Sequence, residues 1–260
     1  MRRMIISGNW KMYKTLEETL TFFEELSAWE KSSSHKNQLL IFPPNLYTMT
    51  ALEKTRENDI DIGVQNIYFK DFGAFTGEIS APMLTSIGGK YALVGHSERR
   101  HIFHEADEEI NLKILALIEH KKHIVFCIGE KEDEREQGLT EKVLDRQLSR
   151  GLQDVNEKDM EHIVVAYEPV WAIGTGKTAT PEIAQDAHAF IRNWLSNYFN
   201  IHVAEKTRIL YGGSVKVDNC DGLLIKPDID GALIGGASLK INDYIEIIKI
   251  SEEVVLRKNQ

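Results

Sequence analysis

The chain has 260 residues, of which 42% are hydrophobic, and a net charge of −9. That length and apolar content suit one α/β barrel domain spanning 1–260, while the negative charge argues against a nucleic-acid groove or an anionic membrane surface as main partner. Cys127 and Cys220 are isolated and lack metal-ligand spacing, no run approaches the roughly 20 apolar residues of a membrane span, and only three apolar residues follow Arg2-Arg3 before Ser7-Gly8, so no metal, membrane partner or secretory leader is expected and a reducing cytoplasm is.

Short apolar runs recur along the chain, each followed by Gly, Pro or polar residues and then a longer helix-like stretch. In order they cover residues 4–6, 39–42, 60–64, 91–94, 124–128, 163–167, 208–211 and 231–234. Runs of this length read as buried strands. Between them, residues 15–29 place Leu16, Leu20, Phe23 and Leu26 on one helical face, with Glu17, Glu18, Glu24 and Glu25 largely opposite. Residues 110–118 and 181–195 behave similarly, and Thr180-Pro181 supplies an N-cap followed by proline at the first helical position. Eight units give about 32 residues each, the length of a strand, a crossover helix and their loops. A closed (β/α)8 barrel is therefore expected; a doubly wound sheet with extra strands is the alternative.

In a barrel the residues just past the strands form the active face. Here these are Gly8-Asn9-Trp10-Lys11, Gly95-His96-Ser97-Glu98, Glu168, Gly212-Gly213-Ser214 and Gly235-Gly236. A carboxylate, an imidazole, an ammonium group and Gly-rich turns thus share one rim. Glu168 precedes a segment with a rigid Pro169, an apolar wedge of Trp171 and Ile173, and hinge glycines Gly174 and Gly176. That composition suits a lid over 169–177, and a covered carboxylate is expected to have a raised pKa. A helical turn starting at His96 would lower the imidazole's pKa, leaving a neutral ring that still donates a hydrogen bond. Glu98 is a candidate partner for Lys11. The paired glycines after strands seven and eight suit a phosphate cradle. No GxxxxGK[ST] or strand-linked GxGxxG segment occurs, so a nucleotide cofactor lacks support.

These motifs, in this order, resemble triosephosphate isomerase along nearly the whole chain. The resemblance is carried by Gly8-Asn9-Trp10-Lys11-Met12, residues 95–100, 166–176, Tyr211-Gly212-Gly213-Ser214 and residues 235–238. It implies a TIM barrel and a cofactor-free, metal-free interconversion of dihydroxyacetone phosphate and D-glyceraldehyde 3-phosphate through an enediolate. A glutamate base beside a neutral imidazole is the chemistry for which that family is the reference case. Carried over residue by residue, Glu168 is the base, His96 polarises the carbonyl, and Lys11, with Asn9 close by, supplies positive charge. Gly174, Ser214, Gly235 and Gly236 bind phosphate, and Glu98 stands behind them. The family is normally a homodimer, and Gln65 and Thr76 fall in segments that resemble its interface, with Thr76 expected to approach the partner's active site. Two positions depart from the pattern: Tyr13 replaces a common Asn and His104 a common Gly. The rivals are another phosphate-binding barrel enzyme, such as an aldolase or a tryptophan- or histidine-pathway isomerase, and a barrel kept as a scaffold; a Schiff-base enzyme would need a lysine at a strand end, for which Lys11 is the candidate, and a scaffold would show a decayed rim.

Overall fold

Alternation within the eight apolar runs sorts their side chains onto two sides, as the pleat of a strand requires. The computed structural model describes residues 2–174 and 177–259. Its strands are β1 (Ile5–Asn9), β2 (Gln38–Phe42), β3 (Ile60–Val64), β4 (Tyr91–Val94), β5 (His123–Ile128), β6 (Ile163–Tyr167), β7 (Ile209–Tyr211) and β8 (Gly231–Ile234). All pair in parallel, in sequence order, and β8 closes on β1. One apolar set, including Ile5, Leu40, Leu93, Val125, Val164, Ala166, Leu210 and Leu233, fills the barrel interior. The alternate set, including Ile6, Ile41, Ile124, Phe126, Val165 and Ile209, joins the core that packs against the helices. The expected closed (β/α)8 barrel is the fold, and the doubly wound alternative is not.

The helices are α1 (Leu16–Ser32), α2 (Thr48–Lys54), α3 (Ala81–Ser86), α4 (Ser97–His101), α5 (Asp107–Glu119), α6 (Glu132–Glu136), α7 (Thr140–Gly151), α8 (Pro181–Tyr198), α9 (Ile201–Lys206), α10 (Cys220–Leu224) and α11 (Ile241–Lys258). Thr180 caps α8, its side chain accepting from the Ile183 N–H, with Pro181 opening the helix as expected. Thr15 and Glu18 form a capping box on α1.

Two local expectations needed correction. The buried face of α1 is Thr19, Phe22, Phe23 and Leu26, while Leu16 is half-exposed. Phe22 and Phe23 pack on Trp10 at centroid distances of 4.8 and 5.1 Å, and this ring cluster sets the helix's rotation. Gly8 and Asn9, expected in the turn, instead belong to β1, paired with Ile41 and Phe42. A strand bonds through its backbone, so the ladder outlasts the apolar run that signals it.

Candidate active site

The pleat that fills the barrel also aims the rim. Counting by twos from interior residues Ile5, Ala166, Leu210 and Leu233 reaches Asn9, Glu168, Gly212 and Gly235. These four line a cavity of about 450 Å³ at the C-terminal end of the strands, together with Lys11, His96, Gly174, Ser214 and Gly236. Every residue assigned from the sequence to catalysis or substrate binding therefore borders one cavity. Gly212 has no spare room: a Cβ there would lie 2.8 Å from Glu168 Cγ, so a side chain would displace the carboxylate.

Within the cavity the polar groups are tightly partnered. Glu168 is 2% exposed. Its Oε1 lies 3.0 Å from His96 Nε2, and its Oε2 accepts from the Ser97 N–H at 2.9 Å. His96 is the N-cap of α4, and its Nδ1 accepts from the Glu98 N–H at 3.2 Å. That bond leaves the ring proton on Nε2, facing Glu168. Lys11 Nζ pairs with Glu98 Oε1 at 2.8 Å, the partnership anticipated for Glu98. The Lys11 backbone is left-handed, at φ 53°. Asn9 Oδ1 accepts from the Lys11 N–H at 3.0 Å, and Gln65 Nε2 donates to the Lys11 carbonyl at 2.8 Å. Such a backbone costs a non-glycine residue about 1–2 kcal/mol, so both flanking amides hold the ammonium group in a strained position.

The electrostatics depart from expectation at Glu168. Burial, the largest single influence, does push its pKa up. The imidazole of His96, the hydrogen bond it donates, the Ser97 N–H and the Lys11 charge together outweigh burial and hold the carboxyl below its ordinary range. A sequence shows that a carboxylate will be covered; it does not show which donors meet it there. Cys127 lies directly beneath, its thiol pushed well above the ordinary value by burial, with the Glu168 charge adding to the shift. It is a neutral packing group.

The remaining assignments fall around this centre. A short 3₁₀ turn, Gly236–Leu239, follows Gly235. Thr76 is exposed on the segment between β3 and α3. Of the expected lid, Thr175 and Gly176 lie outside the described residues, while Trp171 and Lys177 contact the segment after β5. The Trp171 indole donates to Glu130 at 2.8 Å, the Tyr167 hydroxyl donates to the same oxygen at 3.0 Å, and the Arg135 guanidinium lies 3.7 Å from the Trp171 ring centroid. Lys177 pairs with Glu132. Glu130 was missed from the sequence, although the strand-end rule that found Glu168 also points to Gly129-Glu130 after β5. Burial raises the Glu130 pKa, and the Trp171 and Tyr167 hydrogen bonds oppose it. Among the described residues no group of three or more His, Cys, Asp or Glu gathers as a metal cage, and no helix is long and apolar enough to cross a membrane.

The family model described as triosephosphate isomerase matches residues 4–251. A triosephosphate isomerase of Syntrophotalea carbinolica is 48% identical over 96% of this chain and 98% of its own. That of Carboxydothermus hydrogenoformans is 48% identical over 96% and 99%, and that of Chloroherpeton thalassium 44% over 97% and 100%.

Proposed function

We propose, for a chain that belongs to the triosephosphate isomerase family, that Glu168 is the base which moves the proton during isomerisation. The overall reaction follows from the family: the chain interconverts dihydroxyacetone phosphate and D-glyceraldehyde 3-phosphate, a glycolytic step. What is proposed is the division of labour among its side chains, read on residues 1–260 as one barrel domain.

The observation that carries the proposal is the Glu168–His96 contact at 3.0 Å, in a cavity shared with Lys11 and two Gly-rich turns. His96 Nε2–H is aimed to polarise a substrate carbonyl, and as the adjacent C–H proton leaves, negative charge builds on that oxygen near His96 and Lys11. Gly174, Ser214, Gly235 and Gly236 hold the phosphate through N–H groups. Glu98 keeps Lys11 in place. Reaching a substrate carbon requires Glu168 to exchange His96 and Ser97 for the substrate. That move removes the His96 and Ser97 hydrogen bonds that lower its pKa while burial, which raises it, persists, so basicity rises where the proton is taken. Closure of 169–177 would exclude water from the enediolate, which otherwise loses phosphate.

The reading extends to assembly and compartment. Exposed Met12 and Phe103 border a second cavity of about 270 Å³ that also touches Lys11, Gln65, His96 and Glu98. A homodimer in which the partner's Thr76 segment enters this cavity would cover both residues and steady Lys11. The compartment is read as cytoplasmic. A monomer at every concentration in sedimentation would remove the dimer reading.

The test of the mechanism is isomerisation of glyceraldehyde 3-phosphate without added metal or cofactor, with Glu168→Gln in parallel. Loss of about 10³-fold or more in kcat is expected for the variant. Unchanged turnover would exclude Glu168 as the base.

A further inference from the structure

Gly129 stands one residue past β5. Both of its backbone polar groups are taken by one side chain from outside the barrel. Gln147 of α7 accepts from the Gly129 N–H at 2.7 Å and donates its Nε2 to the Gly129 carbonyl at 3.1 Å. Gln147 is 2% exposed and shares the buried face of α7 with Val143, Leu144 and Leu148. An apolar side chain would suit that face, and a buried amide is tolerated there only because it is fully bonded.

The peptide that Gln147 grips lies against Glu168. A Cβ on Gly129 would fall 1.7 Å from the Glu168 carbonyl oxygen, so the two backbones are in direct contact. On either side of Gly129 the chain makes the same connection: the Glu168 N–H donates to the Ile128 carbonyl at 2.7 Å, and the Val170 N–H to the Glu130 carbonyl at 3.0 Å. The Glu130 carboxylate in turn holds Tyr167 and Trp171. Residues 128–130 therefore register the residues before, at and after Glu168, and their central member is fixed from outside by one amide.

We propose that Gln147 is a positioning residue for the isomerisation, which sets Glu168 by clamping both backbone groups of Gly129. This rests on the reading of Glu168 as the base. If Gln147 only satisfied a strand end, its loss would lower stability and leave turnover alone. As a positioning residue it governs the chemical step and leaves untouched the larger part of the phosphate site, Ser214, Gly235 and Gly236, which follow β7 and β8.

Gln147→Met removes both hydrogen bonds at similar volume, and Gln147→Glu keeps the acceptor but loses the donor. Leu148→Ala, also on the buried face of α7, serves as the control for lost packing. The readouts are kcat, KM, inhibition by inorganic phosphate, and Tm. For Gln147→Met, kcat is expected to fall on the order of 10- to 100-fold, the scale of a misplaced catalytic group, with phosphate inhibition unchanged. Gln147→Glu is expected to fall between it and the parent, and Leu148→Ala to lower Tm while keeping kcat within about twofold. Parental kcat in Gln147→Met would overturn the proposal. So would phosphate affinity falling in step with kcat, or a Leu148→Ala variant that loses as much kcat. If Gln147→Met does not fold, the same comparison on Gln147→Glu decides, with parental kcat again overturning it. Glu168→Gln separates the two readings: activity there removes the base, whereas an inactive Glu168→Gln beside a fully active Gln147→Met removes only Gln147.

Discussion

At the N-terminal end of the strands, Asp230 accepts from Arg2 at 2.6 Å, Arg192 at 2.6 Å and the Ile209 N–H at 2.9 Å. At the C-terminal end, Glu168 accepts from His96 at 3.0 Å and the Ser97 N–H at 2.9 Å. Both carboxylates are buried and hydrogen-bonded, and they differ in what holds them. Asp230 faces two guanidinium groups, which stay charged at all ordinary pH, beside a cavity of only about 80 Å³. Glu168 faces an imidazole and an amide across a cavity of about 450 Å³. One end is a closed ion network that ties β1, β7 and β8 together. The other is a set of partners that a ligand can displace. Burial and satisfied hydrogen bonds alone do not distinguish a structural carboxylate from a reactive one; exchangeable partners and room beside them do.

Substitutions should separate the two ends, and the largest effect is expected at the rim, where Glu168→Gln should lower kcat by about 10³-fold or more while keeping the fold intact. At the floor, Asp230→Asn leaves Arg2 without its carboxylate and Arg192 with only that of Asp228. A loss of about 3–5 kcal/mol in urea unfolding is expected, with kcat of the folded fraction unchanged. A variant as stable as its parent would show that the floor network is not structural.

A smaller effect sits between the two regions, at His188. Its ring lies between Tyr167 and Tyr211 on one side and the Asp228 carbonyl, 3.2 Å from Nδ1, on the other. Burial pulls its pKa down from 6.5 to about 3. The unfolded chain binds this proton below the ordinary value and the folded chain does not, so stability falls as pH drops through 6.5 towards 3. The loss from this group is about 2 kcal/mol at pH 5 relative to neutral. His188→Gln should flatten that slope in urea midpoints at the two pH values; an unchanged slope would place the acid sensitivity elsewhere, with His101 and His123, also lowered by burial, the next groups to test.

The smallest effect concerns strain near the rim. His104 has φ 58° and an exposed side chain. Unlike Lys11, it borders neither of the two rim cavities. His104→Gly should raise stability by about 1 kcal/mol with no change in kcat. A gain in stability accompanied by lost turnover would mean that this backbone, too, serves the site.

Much of this architecture was legible in the residues. Eight apolar runs, each closed by glycine, proline or a polar group, specify strands and their ends, because the signal is local burial and local turn chemistry. The rim followed from the strand ends, and Glu168, His96 and Lys11 were found there. The misses share a cause. Leu16 was assigned to the buried face of α1, but Phe22 and Phe23 turn the helix towards Trp10. Glu168 was expected to have a raised pKa, and the opposite direction comes from His96, Ser97 and Lys11, distant in sequence. Gln147 went unnoticed because one polar residue on an amphipathic helix carries no local sign of its partner 18 residues away.

The sequence by itself determined the strands, their parallel succession and the residue types at their ends, since periodicity and turn chemistry act between neighbours. Only the tertiary structure decided which of those groups meet. Closing the barrel brings Glu168 to His96 across 72 residues and Gln147 to the Gly129 peptide that packs against Glu168. Distances of about 3 Å between such groups depend on register, tilt and packing together, and no single segment of the chain contains that information.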